Sequence, residues 1–376
     1  MTGIVLWDTS DRRDTDAIQL EYSYIGYGRV VKPDGNFDWT LVEEKLDGIA
    51  SRGHQAIFRF YLVYPGSPTE TPEFIRALPD YTEITGTSEG KETGFPDWSH
   101  PALRQFVLDF HEEFARRYDA DPRLAFVQVG FGLWAEYHIY DGPFELGKTF
   151  PDHAYQAEFF KHLSQCYRQT TWSISVDAGK KKVSPFADSP ELLELPFGVF
   201  DDSFLHERHA KSNERDWNAI GRDRTLRQPG GGEFSYYTDH DQKHALSPKG
   251  PHGESFEAAA ARFGITYMIG DGQPKYQSLD RIKEAGMACG YRFRVVGFES
   301  GKGRSRVTVR NDGIAPIYRD AWVAVDGVRA KGSLKGLAPG AVTVFEIGVG
   351  GDAPTLTIEC DHLVAGQRIG YEAELE

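Results

Sequence analysis

The chain has 376 residues, of which 40% are hydrophobic and 26% are charged, as in an ordinary globular protein rather than a disordered or fibrous one. Its formal net charge of −14 argues against nucleic acid as a partner, because phosphate backbones carry the same sign. No apolar run approaches the roughly 20 residues of a membrane span, which argues against a membrane partner as well.

The N-terminus and the cysteines bear on the compartment. The first eight residues, Met1–Asp8, have neither the basic segment nor the long apolar core of a signal peptide. Cys166, Cys289 and Cys360 are odd in number and lack metal-ligand spacing, so we predict buried free thiols, which suit a reducing compartment. We expect a cytoplasmic protein, or a periplasmic or secreted one if a signal peptide has been removed. The sequence leaves the oligomeric state open.

Short apolar runs alternate with helical patterns in the first two thirds of the chain, which predicts parallel strands joined by crossover helices. Eight strand segments are expected, the number that closes an α/β fold of the (β/α)8 TIM-barrel type. The first two lie too close in sequence to have a helix between them. The segments are Ile4–Trp7, Leu20–Val30, Gln55–Val63, Leu124–Trp134, Trp172–Val176, Phe197–Phe200, Glu233–Tyr236 and Ile265–Ile269.

Capping residues mark four predicted helices, and three long loops follow predicted strands. The helices are Trp39–Ser51 after Asp38, Ala102–Tyr118 after Ser99 and Pro101, Glu191–Leu195 after Ser189 and Pro190, and Phe256–Phe263 between Ser255 and Gly264. Loops that follow barrel strands build the active-site face, so we expect the three loops there. They are Tyr64–Trp98, Ile139–Pro151 and Glu207–Gly230.

The pattern changes after about Gly290, where period-2 alternation and glycine-rich turns replace helical segments. Tyr291–Val296 and Arg306–Asn311 are examples of this alternation. It predicts a small antiparallel β-sandwich. We therefore expect a catalytic barrel over residues 1–288 and a β-sandwich domain over residues 289–376.

The residues available for chemistry favour carboxylates. The chain contains no phosphate-binding glycine loop, no convincing dinucleotide fingerprint and no G-x-S-x-G nucleophile elbow. Aromatic residues make up 13% of the chain; most of them serve core packing, and the rest are available to stack on sugar rings. Hydrolysis of a glycosidic bond typically needs two carboxyl groups, one to protonate the leaving oxygen and one to attack the sugar or activate water.

Glu136 and Glu233 are the candidate catalytic pair. Glu136 follows an apolar strand that ends at Trp134, and an acidic residue in that place is unfavourable unless it faces a polar cleft. Glu233 follows three glycines, Gly230–Gly232, and precedes aromatic residues. By the strand count, the two glutamates belong to the fourth and seventh strands. The alternatives are a salt-bridged loop carboxylate for Glu136 and a turn carboxylate for Glu233.

Other side chains are candidates for substrate binding. Arg59 in the third strand needs a carboxylate partner, and it either holds a catalytic glutamate ionised or forms a structural pair. His138 either orients Glu136, binds substrate or is structural. Asp201 and Asp202 either bind sugar hydroxyls or a cation, or form a helix cap or surface pair. The further candidates for the cleft are Trp134, Tyr137, Tyr24 and Tyr236.

No metal and no cofactor are predicted. His206, Glu207 and His209 lie close together in sequence, but their spacing matches no strong metal-ligand signature.

Three segments resemble a family of bacterial barrel proteins that are described as glycosidases. They are Phe126–His138, Asp201–Leu205 and Gly231–Glu233, and Asn311–Tyr318 looks like the start of the C-terminal sandwich of that family. The family is in turn similar to the large clan of retaining (β/α)8 glycosidases, which carry the acid/base glutamate after strand four and the nucleophile after strand seven. That resemblance implies these roles for Glu136 and Glu233. Ala135 departs from the clan, which usually has at this position an asparagine that contacts the sugar 2-hydroxyl.

The predicted function is that of a retaining glycoside hydrolase whose carbohydrate substrate is an oligo- or polysaccharide. One alternative is a polysaccharide lyase, which would have a cleft rich in basic groups to neutralise a uronate. The other is a carbohydrate-binding protein without catalytic activity. The sequence does not specify the sugar, the linkage, exo or endo action, or whether the anomeric configuration is retained or inverted.

Overall fold

The computed structural model describes residues 1–374, and the prediction for the last two residues of the sandwich domain lies outside them. The strands are β1 (Gly3–Trp7), β2 (Leu20–Gly26), β3 (Gln55–Tyr61), β4 (Ile84–Ser88), β5 (Lys91–Phe95), β6 (Leu124–Val129), β7 (Thr171–Ser175), β8 (Gly198–Phe204), β9 (Gly230–Phe234), β10 (Tyr267–Ile269), β11 (Phe293–Gly301), β12 (Arg304–Asn311), β13 (Trp322–Val325), β14 (Val328–Arg329), β15 (Val342–Ile347), β16 (Leu356–Glu359) and β17 (Glu372–Ala373). The α-helices are α1 (Thr40–Ser51), α2 (Glu73–Arg76), α3 (Pro101–Tyr118), α4 (His153–Cys166), α5 (Ala210–Ile220), α6 (Asp239–His244), α7 (Phe256–Phe263) and α8 (Leu279–Met287).

A closed parallel barrel confirms the predicted fold class. Its strands are β1, β2, β3, β6, β7, β8, β9 and β10 in order around the barrel, and β10 pairs back to β1. All eight predicted segments are present, but each differs from its predicted bounds by one to five residues at one end or both. The sixth extends to Phe204 instead of Phe200. The second ends at Gly26 because Tyr27–Val30 forms a 3-10 turn, the fourth ends at Val129, and the seventh begins at Gly230.

Three of the four predicted helices are present, but only α7 has the predicted cap. Trp39 rather than Asp38 is the N-cap of α1, and His100 rather than Ser99 is the N-cap of α3. The Ser255 side chain accepts a hydrogen bond from the Ala258 N–H at the start of α7, and Gly264 ends that helix in the left-handed conformation. Residues 8–19 form turns, so no helix joins β1 to β2. The expected helix after Ser189 is only a 3-10 turn, Pro190–Glu194.

The expected loop Glu207–Gly230 was wrong because it contains α5. The inner face of this helix is largely polar, which hides the apolar periodicity on which a helix prediction depends. Only Trp217 and Ile220 supply buried apolar side chains, beside the buried Asn213 and Asp216.

The chain after α8 forms two small sheets, as predicted for the sandwich, and their strands pair antiparallel except for β17, which pairs parallel with β11. One sheet has the order β15-β12-β11-β17 and the other β14-β13-β16, and an apolar cluster of their side chains forms a separate core. This sandwich packs under the amino-terminal ends of the barrel strands. Tyr318 donates a hydrogen bond to the Thr225 carbonyl (2.6 Å), and Gln55, at the start of β3, donates to the His362 carbonyl (2.9 Å). The boundary between residues 288 and 289 stays a prediction.

The three cysteines, which were predicted to be buried free thiols, are only partly as predicted. All three cysteines are free, but Cys289 alone is buried, while Cys166 and Cys360 are partly exposed. Within residues 1–374, no helix has the length and apolar character needed to cross a bilayer.

Candidate active site

A cavity of about 510 Å3 opens at the carboxyl ends of the barrel strands. This is the end at which the loops after each strand come together, so side chains far apart in sequence meet there. Seven of its lining residues are aromatic and four are acidic. The lining residues are Trp7, Tyr24, Tyr64, Glu89, Trp134, Glu136, His138, Tyr140, Asp202, Glu233, Tyr236 and Tyr237.

Arg59 lies beneath this cavity and joins the two predicted catalytic glutamates. Its Nη1 atom lies 2.9 Å from Glu136 Oε1, and its Nη2 atom lies 2.9 Å from Glu233 Oε1. Its Nε–H donates to Gln128 Oε1 (2.8 Å), and Nη1–H also donates to the Tyr24 hydroxyl (2.7 Å). Arg59 is fully buried, so these partners fix the direction of its guanidinium group.

The shared guanidinium limits the distance between the two carboxyl groups. Because both Nη atoms belong to one small planar group, Glu136 Oε1 and Glu233 Oε1 are at most about 8 Å apart. Retaining glycosidases separate their carboxyl groups by roughly 5–5.5 Å and inverting ones by roughly 6.5–9.5 Å. The pair is therefore close enough for carboxyl chemistry on a single bond.

The second oxygen of Glu136 meets a cluster of ionisable groups. His138 Nε2 lies 3.0 Å from Glu136 Oε2, 3.3 Å from Asp202 Oδ2 and 3.6 Å from Asp177 Oδ2. Burial disfavours the imidazolium, but its hydrogen bonds to Asp202 and Glu136 outweigh this and raise the pKa of His138 to about 10. Burial likewise disfavours an ionised Asp202, and the bond and charge of His138 outweigh it, so the pKa of Asp202 is lowered.

Glu136 holds its proton at neutral pH. Burial is the main cause and the negative charge of Asp202 the second; together they raise the pKa of Glu136 to about 8 despite the opposing contacts with His138 and Arg59. A carboxyl group with such a pKa is a proton donor at neutral pH.

Glu233 is buried beside the same arginine. Burial raises the pKa of Glu233, and the positive charge of Arg59 is the strongest influence in the opposite direction. The pKa values of both glutamates are therefore raised by burial and by the charge of Asp202, and Arg59 opposes the shift at both.

The segment after β6 reverses sharply to present Glu136. The Glu136 carbonyl accepts hydrogen bonds from the N–H groups of Phe131 (3.2 Å) and Gly132 (2.8 Å). A Cβ atom on Gly132 would lie 1.9 Å from the His138 carbonyl oxygen, so only glycine fits. Trp134 and Ala135 both have positive φ angles, 54° and 55°. Two consecutive left-handed residues that are not glycine store strain directly before the candidate acid.

Glycines also position Glu233. A Cβ atom on Gly231 would lie 2.2 Å from the ring of Tyr267, and one on Gly232 would lie 2.6 Å from the Asp201 carbonyl oxygen. The glycine run therefore allows β9 to lie close to its neighbours and to end with Glu233 directed into the cavity.

One group of side chains has the spacing of a metal site. Glu136, His138 and Asp202 each offer one ligand atom, and these atoms lie within 4.8 Å of one another. Two cationic groups already neutralise this acidic cluster, because Arg59 contacts Glu136 and the raised pKa of His138 keeps its imidazole charged. A divalent cation would have to displace the imidazolium proton, which leaves metal-free carboxyl chemistry as the simpler use of these residues.

The structure brings most of the predicted site residues to the cavity. Arg59 lies under it, and the others that reach it are Tyr24, Trp134, Glu136, His138, Asp202, Glu233 and Tyr236.

Tyr137 and Asp201, also expected to shape the cleft, are not brought there. Tyr137 is fully buried, donates to Gln156 Oε1 (3.1 Å) and packs against the rings of Phe131 and Phe150. Its neighbours at 134 and 136 face the cavity, so the reversed segment directs Tyr137 into the core. Asp201 accepts hydrogen bonds from the Ser203 N–H (2.9 Å) and from Asn213 (2.7 Å). It fixes the end of β8 against α5.

Sequence reasoning missed several cavity residues. Trp7 ends β1, so the rule that singled out Glu136, a functional side chain at a strand end, also applies to Trp7. The rule applies as well to Asp177, which follows β7 and lies 3.6 Å from His138 Nε2 but does not line the cavity. Tyr64 and Tyr237 follow β3 and β9 in the same way. Glu89 gave no such signal, because it lies at the tip of the β4–β5 hairpin and reaches the cavity only through tertiary folding.

No family model and no curated protein sequence matches the chain. Several solved structures to which it is similar are glycoside hydrolases. They include the galactosidase domain of an alpha-galactosidase–sucrose kinase (12% identity, TM-score 0.38, 93% of this chain and 54% of that one). A GH5-4 broad-specificity endoglucanase from an uncultured bacterium has 10% identity and a TM-score of 0.42, and the match covers 73% of this chain and 82% of that one. A xylanase from Paenibacillus barcinonensis has 12% identity and a TM-score of 0.45, and the match covers 71% of this chain and 83% of that one. The chain spans about half the length of the galactosidase domain. At these identities and TM-scores the likeness carries no information on activity.

Proposed function

We propose that this protein is a glycoside hydrolase in which Glu136 is the general acid/base and Glu233 the nucleophile. The observation that carries the proposal is the bridge through Arg59. It holds together two glutamates, one after β6 and one in β9, at the base of one aromatic cavity, and burial with the charge of Asp202 raises the pKa of Glu136 to about 8. A carboxyl group with a pKa raised in this way suits the role of general acid, which leaves Glu233 as its partner.

Glu136 donates its proton to the glycosidic oxygen as the bond from that oxygen to the anomeric carbon breaks. The glutamate becomes an anion in this step, and its two oxygens then face Arg59 and the imidazolium of His138. These fixed positive charges stabilise the anion without rearrangement, which lowers the barrier to proton transfer.

Glu233 attacks the anomeric carbon from the opposite side of the sugar and forms a glycosyl–enzyme ester. Glu136 then removes a proton from water, whose oxygen displaces Glu233 and restores both groups. The bound of about 8 Å set by the shared guanidinium allows this retaining course, and it also includes the shorter separations found in inverting enzymes. Proton NMR of the first anomer formed tests the stereochemistry.

The charge of the cavity does not favour a polysaccharide lyase. A lyase needs basic groups to neutralise a uronate, whereas the cavity is lined by Glu89, Glu136, Asp202 and Glu233. Its cationic groups, His138 and Arg59, already face these acids. If the reaction product absorbed light through a new carbon–carbon double bond, the protein would be a lyase and not a hydrolase.

The decisive experiment is a glycan-panel assay of wild type, Glu136→Gln and Glu233→Gln. We expect each substitution to lower kcat/KM by roughly 10²–10⁴-fold. With a strongly acidic leaving group, which needs no proton, Glu136→Gln should recover much of the cleavage rate, while Glu233→Gln should not. Glu346→Gln, on the exposed face of β15, is the matched control and should behave as wild type.

The same panel separates an enzyme from a binding protein. If no glycan is turned over by wild type, yet calorimetry finds a glycan bound equally by wild type and Glu136→Gln, the protein binds carbohydrate without catalysis. Loss of activity in only one of the two variants on every substrate would contradict the paired roles.

A further inference from the structure

The proposed chemistry divides the cavity into two sides. Glu136 delivers a proton to the leaving oxygen, so the departing part of the substrate must lie beside Glu136. Glu233 attacks the anomeric carbon, so the sugar that is attacked must lie beside Glu233. This assignment rests on the proposed function and on the positions of the two glutamates.

The Glu136 side carries an aromatic surface supplied by its own loop. Trp134 and Tyr140 are stacked, with ring centroids 6.3 Å apart and an interplanar angle of 20°. Tyr140 also packs edge-on against His138 (5.3 Å, 67°), which contacts Glu136 directly. All four residues line the cavity.

Tyr140 is unusually exposed for a large aromatic residue, with 56% of its surface accessible. Trp134, whose ring stacks on that of Tyr140, has a strained backbone with a φ angle of 54°. Both features are unfavourable for the free energy of folding. Strained residues cluster at ligand-binding sites, and both Trp134 and Tyr140 line the cavity.

We propose that Trp134 and Tyr140 form a binding subsite for a second sugar ring on the leaving-group side, so that the substrate is an oligosaccharide rather than a glycoside with a small leaving group. The apolar C–H face of a pyranose packs on an aromatic face, because the face of the aromatic ring is negative and the C–H hydrogens are weakly positive. The cavity of about 510 Å3 is in the range of pockets that hold drug-sized ligands, which are larger than one sugar ring.

The test compares two kinds of substrate in wild type and Tyr140→Ala. One is the best oligosaccharide from the glycan panel, and the other is the glycosyl fluoride of the same reacting sugar, whose leaving group has no ring. We expect Tyr140→Ala to lower kcat/KM for the oligosaccharide roughly tenfold more than kcat/KM for the fluoride, mainly through KM. Tyr140→Phe keeps the ring and should retain most of the wild-type value.

Phe144→Ala is the matched control. Phe144 lies in the same loop and is 39% exposed, but it packs against Phe150 and does not line the cavity. It should leave both substrates unaffected. Equal losses on oligosaccharide and fluoride in Tyr140→Ala, or no loss on either, would overturn the subsite. Absence of any hydrolysis by wild type, including hydrolysis of the fluoride, would instead overturn the proposed function.

Discussion

A single arginine side chain organises the chemistry at the residue scale. Burying an unpaired guanidinium would be strongly unfavourable, yet Arg59 is fully buried because every edge of the group has an acceptor. Its carbon Cζ also lies 4.4 Å from the centre of the Phe200 ring, which adds a cation–π contact. The sequence predicted that Arg59 needs a carboxylate partner, and it has two.

The raised pKa of Glu136 predicts how kcat/KM depends on pH. The acid must be protonated to act, so activity is lost as the pH rises through the pKa of Glu136, raised by burial and Asp202 to about 8. At low pH activity is lost when Glu233 takes up a proton, and the raised pKa of Glu233 places this limb above the usual range for a glutamate. We expect kcat/KM to have an alkaline limb near pH 8.

The control for this prediction is Glu136→Gln with an activated leaving group. This variant has no proton to lose at position 136, so its residual activity should show no limb near pH 8. A limb that persists unchanged in Glu136→Gln would assign the titration to another group and would contradict the role of Glu136.

At the scale of elements, the segment between β6 and Glu136 depends on glycine. We predict that Gly132→Ala lowers kcat at least tenfold and destabilises the fold by about 1–3 kcal/mol, because the new methyl group would overlap the His138 carbonyl and force the segment to move. Assays of kcat together with urea unfolding measure both effects. Activity equal to wild type would show that the segment adapts without moving Glu136.

Gly48→Ala is a control of the same chemical size. Gly48 lies inside α1, and a Cβ atom there would meet only the Arg52 side chain, at 3.9 Å. Alanine is the better helix former, so this variant should keep full activity and gain about 0.5–1 kcal/mol of stability.

Elements with strong periodicity could be predicted from the sequence, and the details of the site could not. The barrel strands are buried apolar runs, and this pattern located all eight, together with the glutamates that follow β6 and lie in β9. Tyr137 was expected at the cleft but lies in the core, because its neighbours Glu136 and His138 face the cavity and Tyr137 points to the opposite side of the segment. Glu89 enters the site through the β4–β5 hairpin, whose position depends on long-range packing.

At the scale of the whole molecule, the cavity and the sandwich lie at opposite ends of the barrel. The cavity is at the carboxyl ends of the strands, whereas Arg319 of the sandwich side donates to the carbonyl groups of Leu124 (2.9 Å) and Ala125 (3.0 Å) at the start of β6. The sandwich therefore closes the end of the barrel that carries no predicted site residue. Stability and catalysis should be separable by mutation.

Arg319→Met tests this separation. It removes charge-assisted hydrogen bonds to two backbone carbonyls, and we expect a loss of about 1.5–3 kcal/mol in the free energy of unfolding. The contacts of Arg59, Glu136 and Glu233 lie at the other end of the barrel, so kcat of the folded protein should stay within twofold of wild type. Urea unfolding and kinetics at a temperature well below the transition measure the two quantities.

Arg306→Met is the control. It disrupts only an exposed ion pair with Glu346 and should change the free energy of unfolding by less than about 0.5 kcal/mol. A fall in kcat in Arg319→Met alone would show instead that the sandwich controls the geometry of the cavity through the length of the barrel.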